Sequence, residues 1–403
     1  MRCIDVALFV ACACSAMIVG SGGGNFSSSD DGIIGGGALA DMAALPHMPT
    51  SGSSDGGGVA HDFVVDVQQQ QLLPQVPSIA TAAAAPLGVV VGGTTHPFAL
   101  VSDDDQHSRD PAEFLWRSSM QAGSLVATGP HSYDVVWGPR TAVYSHTAHK
   151  NRSMELSELV LFRREPPSSD LLLAVCDATG IVFKLTPDGA ALQRWAIADG
   201  NGDKVKPCKL EWATVRKGVL WVGSMGKEWV RGASVLHRDA EWVKTIDQNG
   251  RVRNHDWGPV YGAMRRATNT TYPGYLWHEA VHFDAASRRW VFLPRKESRT
   301  PYEPREDERR GSNLLILADE ALTQFDVTRV GPLEPEWGFA SVRKVPGTRD
   351  VFMALKVREV DGACSSKLGV FDTSGRFYTN PPFVPVHGSV KYEGLEFLDA
   401  AAG

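Results

Sequence analysis

Cysteine is scarce in this chain: the 403-residue sequence contains six. Three of them lie within the first 14 residues, and the others are Cys176, Cys208 and Cys364. An odd number of cysteines without Cys-x-x-Cys spacing supports neither a disulfide framework nor a zinc ribbon. One pair among the last three remains open, because the sequence does not select it.

Strong charge and long apolar runs are also missing. The formal net charge is −6 and the basic residues form no stripe, which argues against nucleic-acid binding. The apolar stretch at residues 4–20 is interrupted by Asp5 and is short for a membrane span. It follows a basic start and precedes small residues, an order typical of a secretory signal peptide. We therefore predict a signal peptide at residues 1–20 and a place in the secretory pathway. An uncleaved signal-anchor, which would bind the chain to a membrane, is the alternative.

Residues 21–95 lack any sustained hydrophobic period. They consist of Gly- and Ser-rich tracts followed by VQQQQLLPQ and ATAAAAP, with few aromatic residues. Such a composition predicts a flexible tether without a catalytic function. The following residues, 96–398, are enough for one large β domain, and residues 399–403 would form a short tail.

What the sequence does contain is a β unit with a clear turn, at residues 209–229. An alternating run opens with Leu210, Glu211 and Trp212, and the sequence VLWVG runs back after Lys217-Gly218. Two β-type runs joined by a tight turn predict a hairpin. Glu211 is the exception in this unit, because it puts a carboxylate at the start of a strand that is otherwise suited to a core.

Similar units recur along the chain. A small polar or acidic residue enters a strand at intervals of about 60 residues, at Ser157, Glu211, Glu279, Ser341 and Glu393. Repeated β-only units that close on themselves predict an all-β fold, here a five-bladed β-propeller. Because innermost strands line the central channel, one matching residue per blade would converge on the axis.

These five residues would form a site of oxygen ligands only. Three carboxylates and two serine hydroxyls suit Ca²⁺ better than Zn²⁺, so we predict a central calcium site. The alternative is that the five residues merely begin strands. Three buried like charges without a cation would be costly, which favours the metal site.

Two further stretches carry candidate phosphate-binding chemistry. Asp103 and Asp105 follow a predicted strand and precede Arg109, so they could orient a water molecule beside a guanidinium that binds phosphate. A solvated acidic turn fits these residues equally well. Lys227 and Trp229 are predicted to lie in a loop on a blade rim, where an ammonium and an indole ring could bind a phosphate and a base. An exposed ion pair with Glu228 over a packed ring is the alternative.

The stretch from His278 to His282 spells HExxH, the signature of a zinc protease. That chemistry requires a helix, on which both histidines would face one Zn²⁺. The flanking Pro-Gly and the apolar residues 290–293 predict a strand instead. In a strand the two histidines would be about 13 Å apart, too far to bind one ion. Glu279 would then point to the opposite face, toward the proposed ring of oxygen ligands.

Several motifs occur in one order between about residues 96 and 398: KLEW, GKEW, EWVK at 241–244, PGYLWHE, FLPR, DERRGSNLL at 307–315 and the terminal GSVKYEGLEFL. Together they resemble the calcium-dependent apyrase family, which includes soluble calcium-activated nucleotidases. The resemblance implies calcium-dependent hydrolysis of nucleoside di- and triphosphates, such as UDP, GDP and ADP. It also implies a monomer or a calcium-dependent homodimer. A non-catalytic, calcium-stabilised propeller that binds a ligand is the competing interpretation.

The resemblance also implies roles for individual residues. Expected catalytic residues are Asp103, Asp105, Arg109 and Arg295. Expected substrate-binding residues are Lys227, Glu228, Trp229, Asp307, Glu308 and Arg309. Glu158, next to the proposed metal ligand Ser157, is expected to hold a metal-bound water.

Two other features carry weaker expectations. Cys176 replaces an acid in a turn of the family, and this departure argues against a functional role at residues 176–180. Asn151 and Asn269 begin glycosylation sequons, which matter only if the chain enters the secretory pathway.

Overall fold

The computed structural model describes residues 93–164, 168–232 and 234–398. The predicted signal peptide or anchor, the tether up to residue 92 and the tail at 399–403 lie outside these residues. Within the described part of the chain, no helix combines the length and the apolar character needed to cross a membrane.

The strands form five antiparallel sheets arranged as blades. The first strands of the chain are β1 (Thr95–Ser102), β2 (Arg109–Asp110), β3 (Leu115–Gly129) and β4 (Ser132–Ser145). Blade 1 follows with β5 (Leu156–Phe162), β6 (Leu171–Cys176), β7 (Ile181–Leu185) and β8 (Ala191–Ala196). In blade 2, β9 (Trp212–Arg216) and β10 (Val219–Gly223) precede a separate ribbon of β11 (Trp229–Arg231) and β12 (Ser234–His237). The blade then continues with β13 (Trp242–Ile246) and β14 (Val252–Asp256).

The second half of the chain repeats this pattern. Blade 3 contains β15 (Tyr275–Asp284), β16 (Arg289–Ser298), β17 (Leu314–Asp319) and β18 (Phe325–Arg329). Blade 4 contains β19 (Trp337–Lys344), β20 (Val351–Val360), β21 (Ala363–Asp372) and β22 (Val384–Pro385), and β23 (Tyr392–Phe397) follows. The helices are α1 (Gly258–Thr268), α2 (Pro304–Asp307) and two short 3₁₀ turns at Asp105–Ser108 and Asp239–Glu241.

The last strand closes the ring. β23 pairs antiparallel with β1, and β1 pairs with β3, so blade 5 joins the two ends of the folded chain. The innermost strands β5, β9, β15, β19 and β23 each contact the next one around the axis. The prediction of an all-β, five-bladed propeller is therefore confirmed.

Local sequence explains the hairpin that opens blade 2. Lys217 and Gly218 both have positive φ, 51° and 69°, as the twist-matched two-residue turn of a hairpin requires. Val219 consequently pairs with Arg216. Trp212, the first residue of β9, then packs between blades 2 and 3 with Leu276 and Trp290. Most of the core consists of such contacts between neighbouring blades.

The HExxH stretch lies in a strand, as predicted, because β15 contains both histidines. His278 is buried and His282 is partly buried. His278 packs against Tyr261 and Phe292, and His282 packs against Phe352. The two rings therefore serve separate parts of the core. The described cysteines, Cys176, Cys208 and Cys364, are free thiols.

Candidate active site

The five polar residues of the repeat lie at the same end of the innermost strands. Ser157 and Glu393 are the second residues of β5 and β23, Glu279 and Ser341 are the fifth residues of β15 and β19, and Glu211 directly precedes β9. All five side chains are buried. The structure thus brings the whole predicted set to one end of the propeller axis.

Irregular strand pairing distinguishes these positions. The pairing register with the neighbouring strand shifts at Ser157, at Glu279 and at Glu393, and in blade 4 it shifts at Ala340, next to Ser341. Such a β-bulge adds one residue to a strand and re-aims its side chain. The recurrence at one point in four blades indicates that the bulges serve the axial site.

Cations hold the axial carboxylates. One guanidinium nitrogen of Arg295, Nη1, lies 2.6 Å from an oxygen of Glu279 and 2.6 Å from an oxygen of Glu393. The Lys209 ammonium lies 2.7 Å from Glu211. Burial raises the pKa of Glu279 to about 8 and that of Glu211 to about 7, although these cations oppose the shift. The ring is therefore short of positive charge even with its cations in place.

Arg295 belongs to this ring more closely than the sequence suggested. It is itself the extra residue of a bulge in β16, and its Nη2 also lies 3.0 Å from Glu359. Gly338 permits this path, because a Cβ there would lie only 2.5 Å from the Arg295 carbonyl oxygen. Arg295 was expected only as a catalytic residue, whereas in the structure it also contacts two of the predicted metal ligands, Glu279 and Glu393.

The two serines differ in their surroundings. The buried Ser157 hydroxyl has no hydrogen-bond partner. The Ser341 hydroxyl contacts both carboxylate oxygens of Glu158, at 2.8 and 2.9 Å. Glu158 is fully buried beside Arg343, and burial raises its pKa to about 8.

The residues present fit a calcium ion. Their donors are oxygens only, and the orphaned Ser157 Oγ is a buried acceptor that an ion would satisfy. The carboxylates of the ring are separated by Arg295 and Lys209, whose ion pairs occupy some of their oxygens. The structure places these residues at the axis, and their role as metal ligands remains a prediction.

A second acidic cluster adjoins the ring. Asp103, Asp105 and Glu155 each offer a carboxylate oxygen within 4.8 Å of the others, and the described residues contain no other such group of three. The ammonium of Lys391 lies 2.7 Å from Asp103 and 3.1 Å from Asp105. It also lies 3.8 Å from Glu393, which connects the cluster to the ring. Burial raises the pKa of Asp103 well above its usual range, and Lys391 opposes this.

Arg109 follows the acidic cluster on β2. Its side chain is exposed, so the structure does not bury it among the acidic residues. Asp105 is the more accessible of the two predicted catalytic aspartates, with 35% of its side chain exposed against 2% for Asp103. A water molecule would therefore reach Asp105 more easily.

Residues 224–228 lie in a loop, as predicted, but Lys227 and Glu228 are buried, so the alternative of an exposed ion pair is wrong. The Lys227 ammonium lies 4.7 Å from the ring centre of Tyr302, 5.5 Å from that of Tyr275 and 5.8 Å from that of Trp277. Burial lowers the pKa of Lys227 to about 8. These three aromatic rings were missed from the sequence because they come from blade 3, whereas Lys227 belongs to blade 2.

Trp229 and Glu228 also have partners that the sequence did not predict. Trp229 begins β11, and the ammonium above its ring, at 4.7 Å, is that of Lys206 rather than Lys227. Glu228 forms a buried ion pair with Arg265 of α1 at 2.7 Å. Glu228 therefore pairs with Arg265, and not with Lys227 as the alternative had it.

A cavity of about 250 Å³ opens beside these residues. Its wall includes Lys227, Glu228, Tyr272, Tyr275, Pro301 and Tyr302. An ammonium among tyrosine rings can hold a flat aromatic group that carries negative charge elsewhere. Asp307 supports this wall, because it is buried and accepts a hydrogen bond from the Tyr275 hydroxyl.

The other two residues of the predicted DER loop lie farther out. Glu308 accepts a hydrogen bond from the Asp361 backbone at 3.0 Å. Arg309 pairs with the Asp361 carboxylate at 2.9 Å, and 46% of its side chain is exposed. Asp307 is thus the member of this loop that the structure connects to the cavity.

Comparison with known proteins identifies the family. Residues 104–398 match the family model described as Apyrase. The chain belongs to the apyrase family. It is 36% identical to soluble calcium-activated nucleotidase 1 of Rattus norvegicus over 312 residues. This alignment covers 76% of this chain and 75% of that protein. It is also 36% identical to apyrase apy-1 of Caenorhabditis elegans over 76% of this chain and 85% of the relative. It is 34% identical to the apyrase of Cimex lectularius over 74% of this chain and 81% of that relative.

Sequence analysis of this apyrase-family chain missed several charged residues of the site. They are Glu155, Asp177, Lys209, Glu359 and Lys391. The sequence spacing could have indicated two of them, because Lys209 precedes Glu211 by two residues and Lys391 precedes Glu393 by two. Side chains two residues apart share one face of an extended segment.

Asp177 takes part in the site although its turn departs from the family pattern. That departure, at residues 176–180, argued against a functional role there. In the structure the Asp177 side chain is buried and lies 2.5 Å from the Lys209 ammonium. The acidic partner of Lys209 thus survives although Cys176 replaces its neighbour.

Proposed function

We propose that this chain hydrolyses nucleoside di- and triphosphates, of the UDP, GDP and ADP type, to a nucleoside monophosphate and phosphate in a calcium-dependent reaction. The observation that carries the proposal is the set of recurrent bulges that bring Ser157, Glu279 and Glu393 to one end of the axis. Membership of the apyrase family supports it, as does the name of the rat relative, a calcium-activated nucleotidase.

The proposed calcium ligands are Ser157, Glu211, Glu279, Ser341 and Glu393, with Glu158 holding a bound water. When bound, the ion would supply positive charge that neutralises the phosphate oxygens. The unpartnered Ser157 hydroxyl and the oxygen-only donor set support this assignment. Arg295 and Lys209 keep the ring carboxylates in place through their ion pairs.

The remaining charged residues act on the substrate. Asp105, assisted by the more buried Asp103, orients the attacking water, because a carboxylate accepts its hydrogen bond and draws its proton. Arg295 provides a guanidinium beside the ring, where charge on the phosphoryl group would develop. Arg109 and Arg309 are exposed cations that would attract the leaving phosphate.

The nucleoside would lie in the 250 Å³ cavity. Tyr302 and Tyr275 provide ring faces for the base, and Lys227 between them provides the positive charge. Glu228 and Asp307 hold this wall through Arg265 and Tyr275. Trp229, which the sequence placed against the base, would contribute from the neighbouring ribbon.

We also propose that the chain is made in the secretory pathway, either secreted or retained in the lumen by an uncleaved anchor. Asn151 and Asn269, the sequon asparagines, are both exposed in the structure, so both are accessible to glycosylation. Enzymatic removal of N-linked glycans followed by mass spectrometry tests this. An unchanged mass in a secreted preparation would contradict it. Whether the chain is a monomer or a calcium-dependent homodimer is decided by sedimentation with and without calcium.

Phosphate release tests the proposed activity. The full chain is incubated with UDP, GDP or ADP in calcium, and then with excess chelator. We expect phosphate release that requires calcium and that magnesium alone does not restore after exhaustive chelation. If calcium binds and raises thermal stability but no nucleotide is hydrolysed, the chain is a calcium-stabilised binding propeller instead.

A further inference from the structure

At the mouth of the channel, negatively charged side chains outnumber positively charged ones. Eight carboxylates there form ion pairs with only four cations. The carboxylates are Asp103, Asp105, Glu155, Asp177, Glu211, Glu279, Glu359 and Glu393, and the cations are Arg152, Lys209, Arg295 and Lys391. A single divalent ion on the axis would leave an excess of two negative charges. Since uncompensated buried charge is costly, this excess is removed either by protons, as the raised pKa of Asp103 and of Glu155 indicates, or by a second cation.

The unbalanced charge lies at one place. Asp103, Asp105 and Glu155 have carboxylate oxygens within 4.8 Å of one another. Asp103 and Glu155 are also joined through their backbones by an isolated β-bridge. Their cations, Lys391 and Arg152, pair at the sides of the group. Three oxygen ligands are thus held close together by parts of the chain that belong to different blades.

Asp177 supplies the independent observation that a ligand is missing. Its side chain is 8% exposed, and one carboxylate oxygen, Oδ2, binds Lys209. The other oxygen, Oδ1, is buried without a hydrogen-bond partner. The backbone N–H of Asp177 donates to the carbonyl oxygen of Glu155 at 3.2 Å, which places Asp177 next to one member of the group. A buried carboxylate oxygen without a donor is an acceptor that a cation would satisfy.

We infer that Asp103, Asp105, Glu155 and Asp177 form a second binding site for a hard divalent cation, separate from the axial ring. Three cations, Lys391, Arg152 and Lys209, adjoin these four carboxylates, so the group keeps a net negative charge that a divalent ion would offset. Oxygen-only ligands suit calcium or magnesium rather than zinc. Because Lys391 and Arg152 repel the ion, this site binds more weakly than the axial one. The site does not depend on the proposed nucleotidase reaction.

Binding stoichiometry tests the inference without reference to activity. The full chain is stripped with chelator and titrated with Ca²⁺ by equilibrium dialysis, at a pH where the carboxylates ionise. We expect two ions per chain. Glu155→Gln should bind one, because it removes a ligand charge from the second site, and Asp177→Asn should weaken that site by tenfold or more. Asp177→Asn preserves shape, so it serves as the second variant if Glu155→Gln fails to fold.

Glu306→Gln is the control, because 66% of the Glu306 side chain is exposed and it pairs with Arg310 away from the cluster. It should retain both ions. The inference is overturned if the natural chain binds one ion and Glu155→Gln also binds one. It is overturned as well if the natural chain, Glu155→Gln and Asp177→Asn all bind two ions. A single ion lost in Glu155→Gln but retained in Glu279→Gln would support this site and instead refute the axial ring of the proposed function.

Discussion

Replacing Arg295 with alanine tests the relation between the guanidinium and the proposed calcium ion. Arg295 lies 2.6 Å from Glu279 and 2.6 Å from Glu393, and 3.0 Å from Glu359. Arg295→Ala therefore leaves three neighbouring carboxylates without their shared cation. Calcium needs two of the same carboxylates, so the arginine and the ion compete for them.

The size of the effect follows from these contacts. Removing one partner of a buried ion pair costs about 3–5 kcal/mol, because the other charge stays buried and unpaired. We expect the chelated variant to lose about that much free energy of unfolding. Calcium would relieve the same repulsion, so it should stabilise the variant more than the natural chain. Since about 1.4 kcal/mol corresponds to a factor of ten, calcium affinity should rise at least tenfold.

Urea unfolding with chelator and with calcium measures the first effect, and calorimetric titration measures calcium affinity. Turnover should still fall by about 10²-fold, because a donor to transition-state charge is lost, and excess calcium should not restore it. Arg289→Ala is the matched control, because Arg289 pairs with the exposed Asp326 on the outer strands. Calcium affinity that is unchanged or weaker in Arg295→Ala would refute the competition. Near-normal turnover would refute the placement of the phosphate beside Arg295.

Three further predictions concern other parts of the chain. Glu279→Gln should weaken calcium binding, and excess calcium should partly restore its phosphate release; normal calcium affinity would remove Glu279 from the ligands. Burial lowers the pKa of Lys227 to about 8, so the ammonium loses its proton as the pH rises through that value. The KM for UDP should therefore rise above pH 8 in the natural chain but not in Lys227→Met, and identical profiles would contradict this. A chain starting at residue 93 should fold and retain full turnover, because β1 begins at Thr95; loss of folding, seen by circular dichroism, would refute the tether.

Local chemistry made most of the fold predictable. Lys217-Gly218 determines its hairpin through two positive φ angles, and that requirement is visible in the sequence. The polar residues at Ser157 and Glu393 recur with the period of the blades, because each blade contributes one innermost strand.

The site was predictable only in part, because bulges and contacts between blades are not local properties. The sequence does not show that Arg295 is an extra residue in β16, and this bulge brings it onto Glu279 and Glu393. It does not show that Tyr302 covers Lys227, because the two come from different blades. Position along a strand was predictable; which side chains meet across the axis was not.

The ion pairs at the channel mouth have two opposing effects on calcium. Lys209 and Arg295 let Glu211, Glu279 and Glu393 stay buried together before an ion arrives, because each cation offsets part of their repulsion. The same cations repel a divalent ion and occupy oxygens that it would bind. Calcium affinity is therefore set by the difference between the two effects. It follows that removing a cation should tighten calcium binding while weakening the metal-free fold, whereas removing a carboxylate should weaken calcium binding and relieve that fold of repulsion.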